Sequence, residues 1–160
     1  MLAEVEAAIK DDPRWHVFYR SGSDVDFVPK DWMEWLPPIG IDRKEHPESW
    51  IVFRFSLYER SIDYYVEIRK LEDAAQRKAI VDALIDKGAT FGFVRKQARE
   101  ATGFYTRVSS RERVLLFNQD ETPTADAIRA AVKKRLDQIH PKMGELAKAL
   151  QELLKSTASK

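Results

Sequence analysis

Two stretches of strict period-two alternation, joined by a short polar link, constrain this chain more than any other feature. Ile51, Phe53, Phe55 and Leu57 alternate with Val52, Arg54, Ser56 and Tyr58. After Glu59-Arg60-Ser61, Ile62, Tyr64, Val66 and Ile68 alternate with Asp63, Tyr65, Glu67 and Arg69. Successive side chains of a strand point to opposite faces, so the pattern demands a long antiparallel hairpin with one apolar face and one mixed face. An apolar sheet face has to be covered, which makes the rest of the chain a search for its cover.

The C-terminal third supplies one. Val132, Leu136, Ile139, Met143, Leu146, Leu150 and Leu153 follow one another at spacings of four and three, a heptad seam. Pro141 falls inside it and would cost roughly 3 kcal/mol in a straight helix interior. The seam keeps phase across the proline, so one long helix kinked near His140 is expected, opened by Thr122-Pro123 as cap and first-turn proline. Laid across the sheet, the seam completes the core. Left outward, it would serve as an interface for a second copy or another partner.

Shorter elements fill the remainder. Leu2, Val5 and Ile9 predict a helix over 2–11, stopped by Asp12-Pro13. Trp15, Val17 and Tyr19 alternate with His16, Phe18 and Arg20, and a Ser21-Gly22-Ser23 turn leads to Val25 and Phe27 alternating with Asp24 and Asp26, a hairpin ended by Pro29. Asp31 to Leu36 reads as one helical turn capped by Asp31, with Trp32 and Trp35 forming either a plug or an aromatic platform. Residues 40–48 read as an exposed loop. Asp73 caps a helix to Lys87, and Gly88 stands where a helix-ending glycine belongs. Phe91 and Phe93 begin a short strand. Phe104–Val108 and Arg113–Phe117 then read as a second hairpin around Ser109-Ser110. The expectation is an α+β fold: one antiparallel sheet of roughly five to six strands, helices on one face, and a long kinked C-terminal helix. It forms one domain over 1–155, with a disordered tail over 156–160.

Composition excludes some chemistry. The chain has 160 residues and no cysteine, which removes disulfides, thiolate metal sites and a cysteine nucleophile, and fits a reducing compartment. The N-terminus lacks the basic and apolar regions of a secretory signal, and no apolar run approaches the roughly 20 residues needed to span a bilayer. A cytoplasmic protein without membrane contact is expected. The net charge of +1 conceals polarity: residues 1–50 sum to −5 and residues 91–160 to +6.

That basic half carries the binding expectation. Arg95, Lys96, Arg99, Arg107, Arg111 and Arg113 are interleaved with Phe91, Phe93, Phe104 and Tyr105, and Arg129, Lys133, Lys134 and Arg135 follow. Cations track phosphates and aromatic faces stack on bases, so nucleic acid is the partner this composition points to. An acidic protein surface is the other.

Catalytic signals are sparser. Asp63, Glu67 and Lys70 approximate the acid, acid-x-lysine pattern of nucleases that hold Mg²⁺ between carboxylates and orient water with a lysine. Arg69 stands where that lysine belongs, and the preceding strand has no acid. The ordinary alternative is a solvated sheet face with cross-strand pairs such as Arg54 with Asp63 or Glu67. His16, His46 and His140 have no ligand-like spacing. No glycine-rich phosphate loop or nucleophile elbow is present, and no cofactor is implied.

The order of Trp15–Ser21, Asp26–Trp32, Ser49–Phe55, Tyr64–Ile68, the helix through Ile80 and Leu84, Gly103–Arg107 and the closing helix resembles the C-terminal accessory region of bacterial PD-(D/E)xK nuclease-superfamily proteins of uncharacterised role. The resemblance implies a non-catalytic recognition or regulatory module associated with nuclease or defence systems. It carries no catalytic residue across.

Overall fold

A computed structural model describes residues 1–36, 49–86, 88, 91–93, 105–118 and 120–158. The architecture is α+β: a six-stranded antiparallel sheet with helices on its apolar face and a long C-terminal helix kinked by a 3₁₀ turn. No helix among the described residues is long and apolar enough to cross a membrane. The expected loop over 40–48 lies outside the described residues.

Helix α1 (Leu2–Lys10) buries Leu2, Val5 and Ile9 as their spacing requires. Strands β1 (Trp15–Arg20) and β2 (Asp24–Pro29) pair, with the Ser21 hydroxyl accepting from the Asp24 N–H at 3.0 Å to shape the turn. The simple alternation expected in β1 fails at Phe18. Val17 opposes Phe27, but Tyr19 opposes Asp26, so Phe18 is a bulge that moves Tyr19 to the other face. A 3₁₀ turn, Lys30–Glu34, follows. Its cap position is Pro29, not Asp31, and no side chain caps it. Trp32 is buried edge-on against Phe53 at 5.6 Å, a plug rather than a platform.

Strands β3 (Ile51–Leu57) and β4 (Ser61–Arg69) form the expected hairpin, with Phe53 opposite Val66 and Phe55 opposite Tyr64. β2 joins β3 with Phe27 opposite Phe53, so each apolar row continues across three strands. Helix α2 (Ala74–Asp86) is capped as expected, Asp73 accepting from the Gln76 N–H at 3.0 Å. Gly88 acts differently from the expected helix stop: its backbone is not left-handed, and a Cβ there would lie 2.7 Å from the Phe93 carbonyl oxygen. The left-handed residue is Gly92, at φ 73°.

The expected second hairpin does not exist. β5 (Tyr105–Arg107) and β6 (Glu112–Leu116) both pair antiparallel with β4, β5 along Glu67–Arg69 and β6 along Ser61–Tyr64. Between them the Ser109 hydroxyl accepts from the Val66 N–H at 2.8 Å. That bond satisfies a central-strand donor, so the serines carry the chain onward along β4 where a turn would have reversed it. Phe93 forms only an isolated bridge, to Ser109.

Helix α3 (Ala125–Ile139) begins two residues later than Thr122-Pro123 suggests, because Thr124 is the cap, accepting from the Ala127 N–H at 3.1 Å. The 3₁₀ turn His140–Lys142 absorbs Pro141 in its first positions, where a missing N–H costs little, and α4 (Met143–Ala158) resumes. α4 continues through Ser156, where the tail was expected to begin. The heptad seam faces inward: Val132, Leu136, Ile139, Met143, Leu146 and Leu150 belong to the core and Leu153 packs at its margin. This corrects the seam's reading as an interface, since a second helix could reach it only by opening the fold.

Candidate recognition surface

Strand parity sends Asp24, Asp26, Arg54, Ser56, Asp63, Tyr65, Glu67 and Arg69 to the sheet face opposite the apolar core. A solvated face was expected. Instead Asp26 is 0% exposed, Arg69 2% and Arg54 6%. Charges removed this far from water need partners, and the register supplies them. Arg54 Nε donates to Asp26 Oδ1 at 2.6 Å and Nη2 to Oδ2 at 2.9 Å, a bidentate clasp. Its Nη1 donates to Glu67 Oε2 at 3.0 Å. Arg69 Nη2 lies 3.7 Å from Asp26 Oδ2, and Ser56 donates to Asp24 at 2.6 Å.

Titration behaviour follows from this enclosure. Burial pushes the Arg54 guanidinium down, but hydrogen bonding and charge from Asp26, with Glu67 and Asp24, hold it above the ordinary arginine value. Burial raises the Glu67 carboxyl, against the pull of Arg54. Burial likewise raises the Tyr65 phenol, which bonds Ser56.

The nuclease candidates do not converge here. Glu67 is engaged by Arg54, Asp63 sits beside Arg111, and Lys70 lies just past the end of β4. Asp63 and Glu67 are four residues apart on one strand, roughly 13 Å by strand rise. The acid nearest in role to Glu67 is Asp26 of β2, and the group between them is a guanidinium. Of the cross-strand pairs expected, Arg54 takes Glu67 and not Asp63. Asp26 was missed because nothing local links it to Arg54, 28 residues on. Alternating acids in a strand otherwise read as apolar were the available signal. Arg77 was missed as well. It is 1% exposed in α2 and donates to the Ile68 carbonyl at 3.2 Å and the Thr106 hydroxyl at 2.6 Å, tying the helix to β4 and β5.

Beside the enclosed network, the β4–β6 edge of the same face is less enclosed: Asp63 and Tyr65 are buried, but Arg111 is half-buried and Tyr58 exposed. The Arg111 guanidinium lies 3.9 Å from the Tyr58 ring centroid and 4.9 Å from that of Tyr65, a cation held between two aromatic faces. Arg107 approaches Tyr65 at 5.9 Å. Arg113, exposed, pairs across the ladder with Asp63, whose Oδ2 lies 4.0 Å from Arg111 Nε. Tyr58 is 42% exposed. Three of the expected binding residues, Arg107, Arg111 and Arg113, therefore come together, while Arg95, Lys96 and Arg99 lie outside the described residues. The aromatic faces come from Tyr58 and Tyr65; Phe93 is core.

The charge polarity of the sequence is partly offset in space. α1 packs on α3, and Arg129 Nε donates to Glu4 at 2.7 Å with Asp11 at 3.6 Å from its Nη1. Arg14 donates to Asp137 at 2.6 Å, and Arg135 pairs with Glu112. Arg129 of the basic helix thus partly neutralises the acidic N-terminus, while Lys133 and Lys134 of the same helix stay exposed. No family model, curated protein or solved structure matches the chain.

Proposed function

We propose that this chain is a non-catalytic recognition module that contacts single-stranded nucleic acid through the arginine–tyrosine edge. The observation that carries the reading is the Tyr58–Arg111–Tyr65 stack with Arg107 and Arg113 beside it. A guanidinium fixed between rings presents its donors to a phosphate with little rotamer entropy left to lose, and the exposed Tyr58 ring offers a stacking face for a base. The resemblance to accessory regions of bacterial nucleases supports a setting beside a nuclease or defence system. Hydrolysis with Mg²⁺ by Asp63, Glu67 and Lys70 would require Glu67 to exchange Arg54 for a cation, so recognition is the better-supported role.

Fluorescence anisotropy with a labelled single-stranded oligonucleotide tests this. Affinity should fall steeply with salt, and Arg111→Glu with Arg113→Glu should remove most of it. Replacing Arg95, Lys96 and Arg99 together measures the other half of the expected basic set. Undetectable binding at low salt, or binding indifferent to the Arg111 and Arg113 changes, sinks the reading.

A protein partner is the second reading, favoured by one observation. Among the described residues β6 pairs only with β4, and Leu116 on it is 61% exposed. An unpaired strand edge with an outward apolar side chain can accept an added strand. Chemical crosslinking that captures an acidic segment along β6 would support that alternative.

A further inference from the structure

On the opposite side of the sheet, apart from the arginine edge, the helix kink leaves a cleft of about 280 Å³. Its floor is core: Phe53 and Val66 from the sheet, and Met143 and Leu146 from α4. The 3₁₀ turn His140–Lys142 offsets α4 from α3, so the cleft opens beside the kink, where side chains of the two helices line it together. Its mouth is polar. Arg135, Gln138 and Lys142 follow at spacings of three and four, which places all three donors along one side of the helix, next to the apolar seam.

Charge at the mouth is unbalanced. Glu112 faces Arg135 and pairs with it, whereas Lys142 is exposed and forms no ion pair among the described residues. A cleft of mixed polar and apolar lining that reaches the sheet, with convergent donors and one uncompensated cation at its entrance, has the composition of a small-molecule site. The size lies near the lower end of such sites, roughly 300 Å³, which suits one compact organic molecule better than a peptide segment.

We propose that this cleft binds a small carboxylate with an aromatic or short aliphatic body, the body against Phe53, Val66 and Met143 and the carboxylate at Lys142 and Gln138. Filling apolar space that core side chains leave open restores lost dispersion contacts, so binding also stabilises the fold. The site is independent of the nucleic-acid reading, because its residues lie on the other face.

The methionines make the test direct. The chain has three, and Met1 and Met33 are each 37% exposed and line no part of this cleft, while Met143 forms its wall. In protein carrying ¹³C-methyl methionine, titration with 2-naphthoate should shift the Met143 methyl resonance saturably and leave those of Met1 and Met33 in place. Lys142→Glu, on an exposed side chain that the fold does not need, should weaken binding at least tenfold. The matched cation, 2-naphthylmethylamine, should not compete. A Met143 resonance unmoved at millimolar naphthoate, equal shifts from the amine, or unchanged affinity in Lys142→Glu would each overturn the proposal.

Discussion

Arg54 holds Asp26 through two hydrogen bonds, 2.6 and 2.9 Å, across the β2–β3 ladder, on a sheet face that buries both groups. The pair turns what alternation alone would make an ordinary polar face into a second interior. A buried pair of this kind is nearly neutral when intact and costly when halved, because the surviving charge keeps its desolvation penalty.

Asp26→Ala should therefore cost roughly 3–5 kcal/mol, measured by urea denaturation. The double replacement Asp26→Leu with Arg54→Met should recover much of that loss, since it removes both charges and leaves apolar volume behind. A double variant as unstable as the sum of its singles would show that the pair contributes more than mutual neutralisation.

Glu67 makes stability depend on pH in a fixed direction. Its folded carboxyl is raised above the ordinary value of 4.5, first by burial. Between 4.5 and the higher folded value, the folded state binds the proton more readily than the unfolded state does. Stability should accordingly decline as pH rises across that window. Glu67→Gln should lack this decline while keeping an acceptor for Arg54. Parallel pH profiles for the two proteins would contradict the assignment.

The two glycines flanking Phe91 serve different needs, and alanine separates them. Gly88→Ala drives a Cβ to 2.7 Å from the Phe93 carbonyl and 2.8 Å from the Phe93 Cβ, so overpacking of about 1–3 kcal/mol is expected. Gly92→Ala meets no atom within 4 Å but must adopt φ 73°, at about 1–2 kcal/mol. Asparagine at position 92, which tolerates the left-handed region, should recover part of the second loss. Asparagine at 88 should recover none, because the obstruction there is steric. Thermal melts of the four variants decide it.

Helix α3 offers a choice between two threonines on either side of Pro123. Thr124→Ala removes the hydroxyl that receives the Ala127 N–H and should cost about 1 kcal/mol. Thr122→Ala, at the position a Thr-Pro signature favours, should change stability by less than about 0.5 kcal/mol, as exposed substitutions usually do. Equal effects would place the helix start between them.

The legibility of this molecule divides along one line. Strand parity in Ile51–Ile68, the inward phase of Val132 to Leu150 across Pro141, and the Asp73 cap were all readable, because each depends on neighbours within one turn or one pleat. The arginine–tyrosine edge is half legible: Arg107, Arg111 and Arg113 stand in a basic cluster along the chain, whereas alternation marks Tyr58 and Tyr65 only as strand residues.

Side-chain periodicity is local, so the chain alone determined which residues share a face and that an antiparallel sheet would be capped by a kinked helix. Pairing partners are not local. That β6 follows β5 along β4, that Asp26 meets Arg54, and that Arg129 of the basic half neutralises Glu4 of the acidic half were decided only when the sheet registers and the packing of α1 on α3 were set together. Such contacts are won by burying distant apolar rows in a common core, and the polar side chains carried on the same strands accept whatever partners that register brings.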